Sequence, residues 1–253
     1  VCAGVERIYV ARPLHAEFVG RLALAASGLR IGHGTDPTVE LGPLVSESQR
    51  CRVEELVADA VEHGARVVTG GGRPAVGLPG WFHEPTVLDG EPAAARLRRE
   101  EIFGPVVTVS AFATDEEAVR RANDSPYALG ASVWSRDRKR ARSLAGRLRA
   151  GSVWVNDHAY SYGVMAAPWG GRGASGSGRT HSRHGLYGLS HPRYTDDDAG
   201  RRRNAWWYPY GPDVVDGFGG VLAALYGRGL RRRGTALVAH RRGIVGIVRK
   251  ALR

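Results

Sequence analysis

Strand-like and helix-like segments alternate over the first 190 residues, and this alternation limits the possible folds more than any other feature of the chain. Short runs rich in β-branched and aromatic residues are typical of strands, and apolar residues recurring every three or four positions are typical of helices. Strand, helix and strand in this order usually form a parallel sheet covered by helices. We therefore predict an α/β fold with a mainly parallel sheet and flanking helices. The predicted strands are residues 5–10, 65–69, 105–112, 129–134 and 151–155.

Capping residues mark the starts of the predicted helices. Ser46 is followed three positions later by Gln49, and Thr114 by Glu117, which is the spacing of a capping box. Pro13 can open the first helix, because the first helical position needs no backbone N–H. These signals place helices after residues 13, 46 and 114. A fourth helix is predicted around residues 141–148 from its apolar stripe.

Three consecutive glycines follow the second predicted strand, at residues 70–72. A Gly-rich loop can cradle a phosphate, but here neither a Gly-Lys-Ser/Thr ending nor a G-x-G-x-x-G pattern accompanies it. The triplet therefore predicts a tight turn.

The positive charge of the chain is concentrated at its end. The net charge is +11, and residues 201–253 contain twelve Arg or Lys and two Asp, so ten of these charges lie there. We expect weak, salt-sensitive attraction to anionic membrane surfaces and to DNA alike, with no specific nucleic-acid partner. Residues 214–225 and 244–252 can form short helices bearing Arg, which could lie on a membrane surface or pack on a partner subunit.

Composition excludes several classes of protein. With 43% apolar and 24% charged residues, the chain can bury a core and is not disordered. No apolar run reaches the 18 residues that a membrane span needs, and no signal peptide is expected. Two cysteines cannot form a disulfide framework, and we expect a cytoplasmic protein. The chain opens with Val rather than Met, which we interpret as an interior piece of a longer protein.

Six short sequence blocks occur in order over residues 1–190. They are residues 2–10 (CAGVERIYV), 42–46 (GPLVS), 84–88 (EPTVL), 100–106 (EEIFGPV), 123–129 (NDSPYAL) and 168–179 (PWGGRGASGSGR). In this order they resemble the motifs of the aldehyde dehydrogenases. Any one block is weak, but the six together are specific. Ala128 stands where that family usually has glycine.

The resemblance implies oxidation of a small-molecule aldehyde to a carboxylic acid with NAD or NADP. Cys2 takes the family's nucleophile position. A cysteine thiolate attacks a carbonyl carbon readily, and the resulting thiohemiacetal becomes a thioester that water hydrolyses. The backbone N–H of Cys2 would help to hold the developing oxyanion. An isolated cysteine is otherwise more often a small buried apolar residue, and we keep that interpretation for Cys51.

The same resemblance assigns two residues to the cofactor and one to the substrate pocket. Glu101 would accept hydrogen bonds from the nicotinamide ribose hydroxyls, since a carboxylate can accept from both, and Phe103 would pack beside that ribose. Trp169 would line the substrate tunnel. From the residues alone, Glu101 could be a solvated loop residue, Phe103 a core anchor and Trp169 a packing residue.

The nine histidines do not predict a metal site. His181 and His184 are three positions apart, while His158 and His191 are isolated. No cluster of Asp, Glu or Cys lies at ligand spacing, so no metal is assigned. The histidine-rich stretch is interpreted as an exposed helix end.

The blocks end near residue 190, which predicts two parts: a catalytic domain at residues 1–192, and an oligomerisation segment with a basic tail at residues 193–253. We expect Tyr194 and Thr195 to begin a strand used in a homo-oligomer. Residues 201–211 (RRRNAWWYPYG) resemble the ends of bacterial succinate-semialdehyde-type members.

Family members place the nucleotide-binding domain and the general-base Glu before the nucleophile. We therefore expect this chain to be the catalytic half, with the nucleotide-binding domain missing upstream, and to be inactive alone. The alternative is a non-catalytic remnant that acts as an assembly or anionic-surface-binding module through its basic tail.

Overall fold

The computed structural model describes residues 1–75, 77–197, 204 and 206–252. The chain divides into two compact units, residues 1–191 and 192–253. The segment at 201–211, which resembles the ends of succinate-semialdehyde-type members, lies partly outside the described residues, at positions 201–203 and 205. The strands are β1 (Arg7–Ala11), β2 (Arg66–Thr69), β3 (Thr86–Asp89), β4 (Val106–Phe112), β5 (Gly130–Val133) and β6 (Ser152–Val155). The helices of the first unit are α1 (His15–Ser27), α2 (Glu47–Glu62), α3 (Asp115–Asn123), α4 (Arg138–Ala145) and α5 (Ser182–Gly188).

The first unit contains a four-stranded sheet in the order β1-β4-β3-β2 and a two-stranded sheet of β5 and β6. The pairs β1–β4, β4–β3 and β5–β6 are parallel, which confirms the predicted α/β fold with a mainly parallel sheet. The edge strand β2 pairs antiparallel with β3. Since the described residues between these two strands, 70–75 and 77–85, contain no helix, they provide no crossover element to bring the chain back in the parallel direction.

Helices cover both faces of the larger sheet. Adjacent residues of a strand point to opposite faces, and Val87 and Leu88 of β3 accordingly belong to different core clusters. Val87 packs with Val19 of α1, whereas Leu88 packs with Val53 and neighbouring residues of α2. The sheet is therefore the middle layer of three, and both of its faces are buried, as in other parallel sheets.

The predicted helix caps are confirmed in part. The Ser46 hydroxyl accepts a hydrogen bond from the Gln49 backbone N–H at 3.2 Å, and the Thr114 hydroxyl accepts one from the Glu117 N–H at 3.2 Å. The Gln49 side chain does not complete the capping box, because it contacts the loop at residues 102–103. Pro13 lies in the opening turn of the predicted helix, which is a 3-10 segment, Arg12–Leu14, that leads directly into α1.

The glycine triplet is a bend rather than the predicted tight turn, because Gly72 still pairs with Glu84, whose N–H donates to the Gly72 carbonyl at 2.9 Å. Gly70 and Gly71 have positive φ angles of 71° and 98°. The Gly71 and Gly72 backbone N–H groups donate to the side chains of Thr86 and Glu84 at 2.8 and 3.2 Å. These amides are thus occupied by protein acceptors.

The second unit consists of α6 (Pro212–Tyr226), α7 (Leu230–Ala239) and α8 (Arg241–Leu252). Helices were predicted at α6 and α8, whereas α7 was missed. Residues 194–195 do not form the predicted strand within the single chain. No helix in the described part of the chain is both long and apolar enough to cross a membrane.

Candidate active site

The segment that contains Cys2 begins the chain and leads into β1. Residues 1–4 form a turn, in which the Gly4 N–H donates to the Val1 carbonyl at 2.8 Å. The Cys2 side chain is exposed. Its position therefore depends on how the residues that follow it are held.

His158 holds this segment from the side of the smaller sheet. Its Nε2 lies 2.7 Å from the Ala3 carbonyl oxygen, and its Nδ1 lies 2.8 Å from the Ser132 hydroxyl on β5. A carbonyl can only accept, so Nε2 donates the hydrogen bond to Ala3. The residue after Cys2 is thereby tied to the loop that follows β6.

Glu6 holds the same segment from the side of the larger sheet. Its Oε1 accepts hydrogen bonds from the backbone N–H groups of Ile102 and Phe103, at 2.9 and 3.0 Å. Bonds of this kind to an ionised carboxylate are stronger than neutral ones. Glu6 therefore connects the segment of Cys2, the candidate nucleophile, to the loop that carries Glu101 and Phe103, the candidate cofactor residues.

The loop at residues 101–103 is also held through its carbonyl groups. Gln49 Nε2 donates to the carbonyls of Ile102 and Phe103 at 3.0 and 3.1 Å, and Arg52 donates to the carbonyl of Glu101 at 3.3 Å. We call Glu6, Gln49 and Arg52 the loop clamp.

The clamp supports an unusual backbone conformation. Phe103 has a φ of 49°, which is rare and costly for a bulky residue and often marks a functional loop. Ile102 is 1% exposed and anchors the loop in the core, while Phe103 keeps 47% of its surface exposed. Ile102 therefore takes the anchoring role that was the alternative for Phe103, and the aromatic ring remains accessible.

Glu101 lies partly buried beside Glu6. Burial, followed by repulsion from the Glu6 carboxylate, raises the pKa of Glu101 above its ordinary value. The folded chain then holds this proton to a higher pH than the unfolded chain does. Glu101 accordingly favours folding below its ordinary pKa, and this contribution disappears as the pH rises through the raised value.

We expect Glu6→Ala to destabilise the first unit. The substitution removes both hydrogen bonds to the loop and leaves two amides without their acceptor, which costs about 2 kcal/mol. For a chain of this size, the melting temperature should fall by roughly 4–8 °C. Glu6→Gln keeps the accepting Oε1 and should retain most of the stability. Equal melting temperatures for wild type and Glu6→Ala, measured by circular dichroism, would remove Glu6 from the clamp.

Trp169 lies in an aromatic cluster and is 8% exposed. Its ring centroid is 5.8 Å from that of Trp154 and 5.2 Å from that of Tyr162. Trp154 in turn contacts the His158 ring at 5.2 Å. A continuous series of contacts thus runs from the residue after Cys2, through His158 and Trp154, to Trp169.

The glycines around Trp169 permit close approach of three backbone segments. A side chain on Gly151 would clash with the Gly170 carbonyl, and one on Gly170 would clash with the Gly178 carbonyl. Arg179 donates to the carbonyls of Gly171 and Gly178 at 2.8 and 2.7 Å. The block at residues 168–179 is therefore a tightly packed loop, and its arginine satisfies backbone carbonyls.

The histidines do not converge. Within the ranges that the structure describes, no group of three or more His, Cys, Asp or Glu residues could hold a metal ion. His184 is exposed, as predicted for the histidine-rich stretch. His181 differs from that prediction, because it precedes α5 and packs on Tyr162 at 5.5 Å between ring centroids.

Sequence reasoning missed Glu6, Gln49 and His158 as site residues. Their partners lie 96, 53 and 155 positions away along the chain, so no local pattern reports these contacts. The one available signal is Glu6 itself, a charged residue inside an otherwise strand-forming block.

Comparison with known proteins gives consistent matches. The family model described as "Aldehyde dehydrogenase family" matches residues 1–194. The betaine aldehyde dehydrogenase of Bacillus subtilis is 40% identical over 189 residues, which are 74% of this chain and 38% of that protein. The 2-hydroxymuconic semialdehyde dehydrogenase of Pseudomonas sp. strain CF600 is 42% identical over the same length and with the same coverage. The chain spans about 38% of the length of these relatives.

A further relative, from Mycobacterium ulcerans, is named for succinate semialdehyde and NADP(+). It is 41% identical over 188 residues, which are 74% of this chain and 36% of that protein. Among solved structures, a betaine aldehyde dehydrogenase mutant of Staphylococcus aureus in complex with NAD+ superposes with a TM-score of 0.70. The two are 38% identical, and the match covers 74% of this chain and 38% of that one.

Proposed function

The chain belongs to the aldehyde dehydrogenase family, and from this premise we propose that its first unit contributes the nucleophile and cofactor-ribose contacts of an NAD- or NADP-dependent aldehyde oxidation. The observation that carries the proposal is the clamp at Glu6. One carboxylate connects the Cys2 segment with the loop of Glu101 and Phe103, and a nucleophile must lie near its cofactor for such a reaction.

The loop residues suit a nicotinamide ribose. Glu101 offers a carboxylate that can accept from two hydroxyls, and Phe103 offers a half-exposed ring to pack against the sugar. The clamp fixes the backbone of both residues, so the site is preorganised before any ligand binds. A bound NAD or NADP supplies the hydride acceptor of the reaction.

The remaining chemistry belongs to Cys2 and its surroundings. In the proposed reaction the thiolate attacks the aldehyde carbonyl, carries the acyl group as a thioester after oxidation, and is released when water hydrolyses that bond. His158 fixes the segment of the nucleophile through Ala3. Trp169, behind Trp154 and Tyr162, is proposed to form part of the wall of the aldehyde pocket.

Glu101→Gln tests the cofactor contact. In an active protein that contains these residues, we expect the substitution to raise the KM for NAD(P) or to slow hydride transfer by roughly ten- to a hundred-fold. The reason is the loss of a charge-assisted hydrogen bond, about 1.5–3 kcal/mol. Steady-state and single-turnover kinetics measure both effects.

The matched control is Glu116→Gln, because Glu116 is exposed on α3, pairs with Arg147 at 3.5 Å and is not assigned to the cofactor or to the clamp. It should leave these constants unchanged. Unchanged kinetics in Glu101→Gln itself would remove Glu101 from the site.

We also propose that the protein acts as a cytoplasmic homo-oligomer on a small-molecule aldehyde. Free Cys2 and Cys51 suit a reducing compartment. The support for self-association is the family resemblance together with exposed Tyr194, in the segment that sequence analysis assigned to oligomerisation. Sedimentation velocity of the purified protein tests the oligomeric state.

A further inference from the structure

The helices of the second unit expose their large apolar side chains. On α6 the exposed apolar residues are Val215, Leu222, Leu225 and Tyr226, and on α8 they are Val245, Val248 and Leu252. Most of these residues recur at helical spacing. On α6 the spaced positions are 215, 222 and 226, and on α8 they are 245, 248 and 252. Each helix therefore carries an outward apolar stripe. We call the two together the apolar stripes.

Glycines make the closest contacts between the same helices. Gly217 of α6 meets Gly243 of α8 so closely that a side chain on either would clash with the other's backbone. Gly220 similarly lies against the His240 side chain, while Val214 is buried and Ile247 lies next to Gly217. A helical hairpin in water normally buries most of its large apolar residues and exposes polar ones. Close glycine contacts inside and large apolar residues outside are instead typical of helices that contact lipid.

Cations border the stripe on α8. Arg241, Arg242 and Arg249 are exposed on this helix, and with Lys250 they line a groove of about 980 Å³. Trp207 and Tyr208 line the same groove and are exposed. Lys250 joins these features, since its ammonium donates to the Pro209 carbonyl at 2.8 Å and lies 5.4 Å from the centroid of the Tyr210 ring.

The acidic residues of these helices offset only part of that charge at the groove. Asp216 pairs with His240 at 2.7 Å, and Asp213 is the only acidic residue among the residues that line the groove. The surface is therefore both apolar and cationic.

We propose that the second unit binds the surface of an anionic phospholipid bilayer. The apolar stripes enter the boundary between headgroups and acyl chains, the arginines pair with lipid phosphates, and Trp207 and Tyr208 lie at the headgroup level, where such rings are favoured. A second copy of the chain is disfavoured as occupant, because two strongly cationic surfaces repel each other. Nucleic acid would satisfy the arginines but leave the stripes exposed. This inference does not depend on the proposed aldehyde oxidation.

The test is flotation of the full 253-residue chain with vesicles. Phosphatidylcholine vesicles are compared with vesicles containing 30% phosphatidylserine, and a random DNA duplex serves as a competing polyanion. The charge variant is Arg241→Gln, Arg242→Gln and Arg249→Gln. The apolar variant is Val245→Ser, Val248→Ser and Leu252→Ser, all at exposed positions, with helix content checked by circular dichroism.

The matched control removes three exposed cations of the first unit, through Arg136→Gln, Arg138→Gln and Lys139→Gln. We expect the wild type and this control to bind the phosphatidylserine vesicles alike. The charge variant should bind roughly a hundred-fold more weakly, because about a fifth of the affinity is retained for each of the three charges lost. The apolar variant should lose about ten-fold or more.

Three results would overturn the proposal. Equal vesicle binding by the wild type and the apolar variant would show simple charge attraction. If the control loses as much vesicle binding as the charge variant does, then the cations of the second unit have no particular part in binding the membrane. A wild-type chain that ignores the vesicles, but forms a dimer that the apolar variant disperses, would make a second copy the occupant.

Discussion

Cys2→Ala is expected to abolish aldehyde oxidation in any assembly in which these residues are active. Without the thiolate no covalent adduct forms, and loss of a nucleophile that acts together with other groups lowers kcat by roughly 10³-fold or more. The measurement is NADH or NADPH formation with a panel of aliphatic and aromatic aldehydes.

Cys51→Ala is the matched control for this experiment. Cys51 lies on α2 and is partly buried. It is not assigned to the site, and its loss should leave turnover unchanged. Activity that survives in Cys2→Ala but disappears in Cys51→Ala would reverse the assignment of the nucleophile.

The 253-residue polypeptide assayed alone is expected to form no NADH or NADPH. Orientation of bound reactants accounts for about 7–11 kcal/mol of a barrier, and general-base assistance contributes a further factor of about 10²–10⁴. In this chain the Cys2 side chain is exposed at a turn, and the chain spans about 38% of the length of its relatives.

Activity should appear when the chain is joined to the remaining portion of a relative such as the Bacillus subtilis protein. Alkylation of Cys2, followed by mass spectrometry, verifies that the thiol is intact in the polypeptide that shows no turnover. Sustained turnover by the 253 residues alone would contradict this expectation.

Much of the fold could be predicted because its signals are local. The helix after Ser46 and the strand at β4 follow from capping residues and periodicity within a few positions, and both are present with small changes at their ends. The antiparallel direction of β2 could not be predicted from its composition. It depends on the lack of a crossover helix in the described residues between 69 and 86, and an isolated strand pattern carries no direction.

The site residues also fall into two groups: those that the sequence predicted and those that it did not. The sequence could identify the candidate site residues that lie in blocks resembling a family motif, which are Cys2, Glu101, Phe103 and Trp169. It could not identify the residues that support them, since Glu6 and His158 act through bonds to distant backbone groups. A side chain that binds a main-chain amide or carbonyl places no demand on the identity of its partner, and so leaves no pattern at the partner's position.

The two attachments of the Cys2 segment have a consequence for heat inactivation. Glu6 ties the segment to the loop before β4, and His158 ties it to the loop after β6, so each sheet provides one anchor. Proteins open locally in regions of differing stability. Because the two anchors act in parallel, the segment stays attached through one of them while the other is open, and it is freed only when both contacts have broken. The durability of the candidate nucleophile's position is therefore set by the sheet that opens last, so strengthening one sheet would prolong it.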